Sequence, residues 1–408
     1  MMKHALDPSV AIARRTTPKT PVHLRRFLSL DDFEREARKR LPIALYGYVS
    51  GGVETDQSLS ANRSAFRDIF FVPRILQDVS QRNQQRALFG QMLPVPFGIA
   101  PMGFSALAAF DGDVALQRGA AQEGGFAICS AASLTPLERV AAEGGSRWFQ
   151  AYLPGNEERI TALIARLLRA GFDTLVVTGD VPVAGNRENN ARNGFDAPFR
   201  VTPGLVWQGV THPRWTLGTL GREILARGMP HFENMEAVQG PPLFSRHLVR
   251  SKIARDQLSW KDIRLIRSLW PGKLVVKGIL STEDALQAQD CGADGIIISN
   301  HGGRQLDGAV SPLQVLAEIR RVSGAMAVMY DGGIRRGSDV LKALALGADY
   351  VFVGRPFLFA AAVAGVAGVT HAMALLREEI DRDMALLGIC DLSEMTTERL
   401  HMRPSRAS

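Results

Sequence analysis

"CGADGIIIS" (Cys291–Ser299) and "LGADYVFVG" (Leu346–Gly354) are two versions of one phrase. In each, a glycine closes a helix and an apolar run follows at once, as stacked copies of a single strand-and-helix unit would read. From residue 95 onward the phrase recurs. Its strands are "VPFGIA" from Val95, "FAICS" from Phe126, "WFQAY" from Trp148, "TLVVTGD" from Thr174, "LVVKG" from Leu274, "GIIISN" from Gly295, "AVMYDGG" from Ala327 and "YVFVGR" from Tyr350. Continuous rather than alternating apolar runs are what strands covered on both faces need. Gly124, Gly144, Gly171, Gly272, Gly292, Gly324 and Gly347 follow the intervening helices and suit left-handed C-caps. Eight such parallel units predict a TIM (β/α)8 barrel of the α/β class, with a doubly wound open sheet as the alternative.

Two segments fall outside the period. Residues 27–94 predict a helical extension, with "SLDDFEREARKRLP" starting at a Ser29 N-cap and a polar ribbon near 70–90 placed to plug the barrel bottom. Residues 181–258 form an insertion after strand four, rich in Pro and Gly and carrying Trp207 and Trp215; it reads as a lid. The boundaries expected are a basic flexible arm over 1–26, a barrel domain over 27–390 and a tail over 391–408.

With 46% hydrophobic and 22% charged residues the chain reads as an ordinary globular protein. No apolar stretch stands out as long enough to span a bilayer, and the N-terminus lacks the apolar core of a secretory signal, so a cytoplasmic location is the default expectation. Cys129, Cys291 and Cys390 are scattered, which points to neither disulfide framework nor zinc site, and no metal is expected. The net charge of +7 is spread among 41 acids without an aromatic-studded basic motif, so nucleic acid is not an expected partner. The arm with Lys3, Arg14, Arg15, Lys19, Arg25 and Arg26 reads as a solvated tail that could also favour the inner face of an anionic membrane.

In this fold the chemistry gathers where strands end. "APMG" (Ala100–Gly103, with Pro101 and Met102) offers backbone to a flat ligand. Later ends supply Ser130, then Gln150 and Tyr152, then Thr178 and Asp180, then Lys277, then Ser299, His301 and Arg304. "DGGIRRG" (Asp331, Gly332, Gly333, Arg335) and "GRP" (Gly354, Arg355) stand at the phosphate-binding strands of the barrel, glycine allowing N–H groups to approach and arginine adding a forked donor. If the phosphate belongs to FMN, Lys277 would stabilise the negative charge of the reduced ring. A nicotinamide is disfavoured, because no Gly-x-Gly-x-x-Gly turn follows a strand. A single histidine beside a strand is by default structural. With Arg304 one turn on and Asp180 within reach, His301 reads instead as a base over the ring.

These blocks, "LPIALYGYVSGG", "FVPRIL", "WFQAY", "LSWKD", "VVKGI", "SNHGGRQLD", "DGGIRRGSDVLKALALGA" and "VGRP", resemble in order those of the FMN-dependent α-hydroxy-acid oxidases and dehydrogenases, from about Phe27 to Ile389. That family includes glycolate oxidase, lactate oxidase, lactate dehydrogenase and mandelate dehydrogenase. The resemblance implies oxidation of an L-2-hydroxy acid to the 2-oxo acid, with Tyr48 and Tyr152 bonding the substrate, Arg187 and Arg304 clamping its carboxylate, His301 as base and Asp180 as its partner. It implies FMN contacts from Pro101 to Gly103, Ser130, Gln150, Thr178, Lys277, Ser299, Asp331 to Arg335, Gly354 and Arg355. Tyr46 reads as packing, and a homotetramer is implied.

The chain departs from glycolate oxidase at two pocket positions, Ala132 for a tryptophan and Ala184 for a leucine. Both substitutions imply a bulkier acid such as mandelate. Gly103 stands where several oxidases carry alanine and mandelate dehydrogenase carries glycine, which favours a dehydrogenase passing electrons to a quinone or protein acceptor. An oxygen-using oxidase and a non-catalytic flavin or phosphate binder are the alternatives. For the insertion, a solvent-facing lid is expected ahead of a membrane contact.

Overall fold

The computed structural model describes residues 20–143, 147–195, 201–243, 245 and 255–403. The eight apolar runs become parallel strands: β1 (Phe97–Ile99), β2 (Cys129–Ser130), β3 (Trp148–Ala151), β4 (Thr174–Thr178), β5 (Lys273–Ile279), β6 (Gly295–Ile298), β7 (Ala327–Asp331) and β8 (Tyr350–Val353). β1 pairs with β8, and the ladder continues in order down to β2. Closure comes from Ile99, whose N–H donates to Phe126 O at 2.8 Å and whose carbonyl accepts from Ile128 N–H at 3.0 Å. The result is a TIM barrel rather than an open sheet.

Alternate residues explain the continuous apolar runs. Ile128, Trp148, Val176, Val275, Ile297, Met329, Tyr350 and Phe352 fill the lumen, while Leu175, Val177, Ile296 and Ile298 pack outward under the helices. Truncating Ile296 or Ile298 to alanine would cost about 2–5 kcal/mol, because a close-packed interior collapses only partly around the gap. Gly124, Gly171, Gly292, Gly324 and Gly347 take the left-handed conformation expected of helix caps. Gly272 does not; a Cβ there would lie 2.1 Å from Asp173 O, so close approach is what requires glycine. Gly144 lies outside the described residues.

The extension starts as its sequence suggests, with helix Leu30–Arg40 opened by Asp32, whose carboxylate accepts Ser29 N–H at 2.9 Å. The ribbon contains a hairpin, Arg86–Leu88 with Gln91–Leu93, that carries Leu88 into the lumen cluster and Phe89 to 5.5 Å from the Trp148 ring. Packing extends further at both ends than expected. Leu24 is fully buried, and Leu400–Met402, placed in a tail by the sequence reading, pairs antiparallel with Ile69–Phe71. Lys3, Arg14, Arg15 and Lys19 lie outside the described residues.

The C-terminal helix spans Arg355–Leu387. Its length and composition would pass for a bilayer span, contrary to the sequence reading, yet half of its most apolar stretch is buried inside the fold. It breaks at Ala364 and Gly365 (φ 56) and packs against helices Leu30–Arg40 and Gly112–Gln122.

Candidate active site

A cavity of about 550 Å³ opens at the C-terminal ends of the strands. It is lined by Pro101, Met102, Gly103, Gln150, Thr178, Lys277, the Asp331–Arg335 turn, Gly354 and Arg355, and on another side by Tyr48, Ala132, Tyr152, Ala184, Arg187, His301 and Arg304. Residues far apart in sequence meet here because every strand delivers its last polar residue to one rim.

Hydrogen bonds run along that rim from strand to strand. Ser130 Oγ donates to Gln150 Oε1 and Gln150 Nε2 to Thr178 Oγ1, each at 2.9 Å. Lys277 Nζ donates to Ser299 Oγ at 2.7 Å and pairs with Asp331 Oδ2 at 2.8 Å, both partners buried. A register shift at Gly278 (φ 105) between Lys277 and Ile279 turns the strand end; a Cβ there would lie 2.6 Å from Asp180 Cβ, so glycine lets the neighbouring strand come close. Ser130 and Ser299, expected to touch the cofactor, are not among the residues lining the cavity. Ser299 Oγ is saturated: it accepts from Lys277 and from His301 N–H and donates to Asp331. Both hydroxyls therefore stand behind the residues that face the cavity.

The other half is built around "SNHGGRQLD". His301, Gly302 and Gly303 are all left-handed (φ 57, 67 and 73), a run that L side chains tolerate poorly and that folds the loop back over the strand ends. His301 Nδ1 lies 2.9 Å from Asp180 Oδ1, and its Nε2 lies 3.4 Å from the Tyr152 hydroxyl. With the carboxylate on Nδ1, that nitrogen carries the proton and Nε2 presents its lone pair. Burial holds the imidazole below its ordinary pKa against the upward pull of Asp180. Burial raises Asp180, but His301 and Lys277 outweigh it and the carboxyl stays below its usual range. At neutral pH the pair is neutral imidazole and carboxylate.

Arg304 Nη1 bonds Gly51 O at 2.6 Å and its guanidinium lies 5.0 Å from the Tyr48 ring centre. Burial, then Arg187, bring Arg304 down to about 10, so it stays charged. Arg187 is held from behind by Arg304 O and Gln305 Oε1. Burial first, then Asp180, push the Tyr152 phenol up, which keeps it a neutral donor. Tyr46 stacks on Phe359 at 5.8 Å, as packing.

The residues present fit FMN. Gly332 and Gly333 are both left-handed, and a Cβ at Gly333 would lie 2.0 Å from Asn62 O, so only bare backbone fits this turn. Arg335 Nε is buried without a hydrogen bond among the described residues, its nearest carboxylates, Asp31 and Glu34, lying 3.9 Å away, so it keeps capacity for an acceptor. Arg355 lines the cavity as well, while its Nε bonds Val49 O at 3.0 Å and its Nη2 bonds Gly302 O at 2.7 Å. Gln150, Thr178 and Lys277 line the cavity and would supply side-chain polar atoms to the flat ring.

The insertion contributes what its sequence did not announce. Phe232, Met235, Glu236, Val238, Pro241 and Arg255 line the cavity. This return stretch is fixed: Asn234 accepts from Leu137 N–H and donates to Thr135 O, and Arg166 bonds the carbonyls of Glu233 and Glu236. In this structure it forms part of the cavity wall. The outgoing stretch differs. Trp215 is anchored through Nε1 to Leu107 O at 2.7 Å, whereas Trp207 is 67% and Leu225 90% exposed. Residues 196–200, 244 and 246–254 of the insertion lie outside the described set.

The chain is 38% identical to (S)-mandelate dehydrogenase of Pseudomonas putida over 373 residues, covering 91% of this chain and 93% of that one. It is also 38% identical to L-lactate oxidase of Nostoc sp. over 381 residues, covering 92% and 98%. A crystal structure of the monotopic membrane protein (S)-mandelate dehydrogenase superposes with a TM-score of 0.86 at 37% identity, covering 92% of this chain and 99% of that one. Residues 37–402 match the family model described as FMN-dependent dehydrogenase, and the chain belongs to that family of FMN-dependent oxidoreductases of 2-hydroxy acids.

Proposed function

We propose that the protein oxidises an L-2-hydroxy acid with a bulky, apolar or aromatic side chain to the 2-oxo acid and passes the electrons to a quinone or protein acceptor. The observation that carries this reading is the His301–Asp180 pair at 2.9 Å opening on a cavity that Arg187 and Arg304 also line. The two arginines take the carboxylate, and Tyr48 and Tyr152 orient the hydroxyl. His301 Nε2 accepts the proton, and Asp180 stabilises the imidazolium that results. Bound FMN supplies the two-electron acceptor, and Lys277 a fixed positive charge beside it. Fixed geometry contributes much of the rate, because carboxylate, hydroxyl and base are all located before reaction.

Substrate size rests on Ala132 and Ala184, both on the cavity surface beside Val181, Phe232 and Met235. Gly103 belongs to the same opening: a Cβ on it would lie 2.7 Å from Ala132 Cβ, so the two small residues are matched. Anaerobic mixing with glycolate, lactate, 2-hydroxy-4-methylpentanoate and mandelate tests the reading, with mandelate expected to bleach the flavin fastest. Equal or better turnover of glycolate would overturn the substrate assignment. Slow recovery of colour in air supports the dehydrogenase, and rapid peroxide formation the oxidase.

The location proposed is the membrane surface rather than free cytoplasm. Val206, Trp207, Val210, Leu217 and Leu225 are exposed on one stretch of the insertion, with Arg214 and Arg222 among them, a pattern suited to an anionic bilayer. The structural relative is itself a monotopic membrane protein. Exposed Ile75 and Leu76, joined to Leu386 through the Arg74 N–H to Leu387 O bond, offer an apolar face for the homo-oligomer that the resemblance implies.

A further inference from the structure

The loop carrying His301 holds three consecutive left-handed residues, tied to the barrel by Ser299 Oγ on His301 N–H, Asp180 on His301 Nδ1 and Arg355 on Gly302 O. A second set of ties comes from the N-terminal extension. Asn62, on helix Gln57–Ser64, and Asn300, the residue before His301, exchange amide bonds of 2.7 and 2.8 Å, and both side chains are buried. Asn300 Oδ1 also accepts Gly303 N–H at 3.1 Å, and Asn300 Nδ2 reaches Val310 O at 3.2 Å, so one amide ties both ends of the loop. At the far end Asp307 caps the same helix from outside it, accepting Thr55 N–H at 3.0 Å and Ser58 N–H at 2.9 Å. Ser58 Oγ returns a bond to the carbonyl of Leu306 at 3.1 Å.

Backbone meets backbone between these anchors. A Cβ on Gly303 would lie 2.5 Å from Leu59 N, and one on Gly52 would lie 2.6 Å from Gly303 O. Asn62 O also closes against Gly333 in the neighbouring turn. The helix is thus wedged between the loop that holds His301 and the turn assigned to phosphate. Neither Asn62 nor Asp307 lines the cavity, and neither is expected to touch substrate.

We infer that Asn62 and Asp307 are positioning residues: the segment from Gly52 to Ser64 is a clamp that holds the His301–Arg304 loop in its left-handed turn and so sets where the base and one carboxylate arginine stand. This rests on the reading of His301 as base, but the geometry of the clamp can be tested without it. Asn62→Ala removes both reciprocal bonds and leaves the Asn300 amide held only by Gly303 N–H and Val310 O. A shift of the base by about 1 Å corresponds to a loss of about 10²-fold in rate.

The experiment compares Asn62→Ala and Asp307→Asn with the wild type as FMN-loaded full-length protein. Hydrogen exchange of the peptide covering residues 300–310 is read beside that of β4 to β6. Faster exchange confined to 300–310 in both variants is expected, and unchanged protection there overturns the clamp. The second readout is the reduction rate per bound FMN, with 2-deuterated mandelate in parallel. In Asn62→Ala the rate is expected to fall about 10²-fold with the isotope effect at or above the wild-type value. A merely structural role would lower FMN content and leave the rate per bound flavin within twofold of wild type, which also overturns the proposal. If Asn62→Ala does not fold, the part-exposed Asp307→Asn decides, with about a tenfold loss expected and none refuting. Failure of wild-type protein to be reduced by any acid refutes the base reading instead, and the exchange readout still decides the clamp.

Discussion

Replacing Asp180 with asparagine isolates the charge behind the base. Asp180 Oδ1 faces His301 Nδ1 at 2.9 Å, while Oδ2 is buried without a hydrogen bond among the described residues. The asparagine amide nitrogen can therefore take the Oδ2 place and leave an oxygen on the histidine, which preserves ring orientation and tautomer. What disappears is the attraction between carboxylate and imidazolium. With charge centres about 4 Å apart and an effective dielectric near 20, that attraction is about 4 kcal/mol. Converted at about 1.4 kcal/mol per decade, the reduction step should slow by about 10³-fold. The sign of the pH effect follows from the same pair. His301 must be neutral to act, so activity is lost as pH falls through its pKa. Asp180 raises that pKa and burial lowers it, so Asp180→Asn should move the acid limb to lower pH. Anaerobic stopped-flow reduction by mandelate between pH 4.5 and 8, followed at the flavin band, measures both. A rate within tenfold of wild type, or an acid limb that moves upward, would refute the reasoning.

Three further outcomes are expected. Ala132→Trp should refill the space facing Gly103 and lower kcat/KM for mandelate relative to glycolate by about tenfold or more, read by steady-state kinetics on both acids. Lys277→Met leaves Asp331 as a buried carboxylate without its cation and should cost about 3–5 kcal/mol in urea unfolding, with Lys277→Met/Asp331→Asn recovering part of the loss; no loss in the single variant would mean the pair is solvated. Trp207→Glu with Leu225→Glu should release the protein from anionic liposomes in flotation while leaving turnover with a soluble dye unchanged, and continued co-flotation would place the membrane contact elsewhere.

The barrel was legible because its strands obey two rules at once. Ile296, Ile297 and Ile298 are all apolar since one faces the lumen and two face helices, and the glycine three residues before the strand in each repeated phrase marks a real left-handed cap at Gly292 and Gly347. The strand-end tools were legible for a related reason: a polar residue ending an apolar run has few places to point. What stayed hidden depends on contacts from distant chain. Ser130 and Ser299 carry the right chemistry, but their hydroxyls are consumed by Gln150, Lys277 and Asp331. The wall residues Phe232 and Met235 sit in a stretch without periodicity, held by Asn234 and Arg166 across the fold. Gly272 carries no mark distinguishing a crowded glycine from a cap. The 33 residues from Arg355 to Leu387 hide their bilayer-like character behind a break at Gly365 and charged ends.

Closure of the cylinder is uneven. β4 and β5 are aligned over five residues, whereas β1 and β2 meet at Ile99 alone, through two backbone bonds. That join is where fluctuations should part the barrel first, so the amides of Ile99 and Ile128 are its weakest stitches. Directly beyond it stand Met102, Gly103 and Ala132, on the rim where ring and acid would lie. A bound flavin would act as a clasp across the join, and the empty protein should loosen there before anywhere else in the barrel.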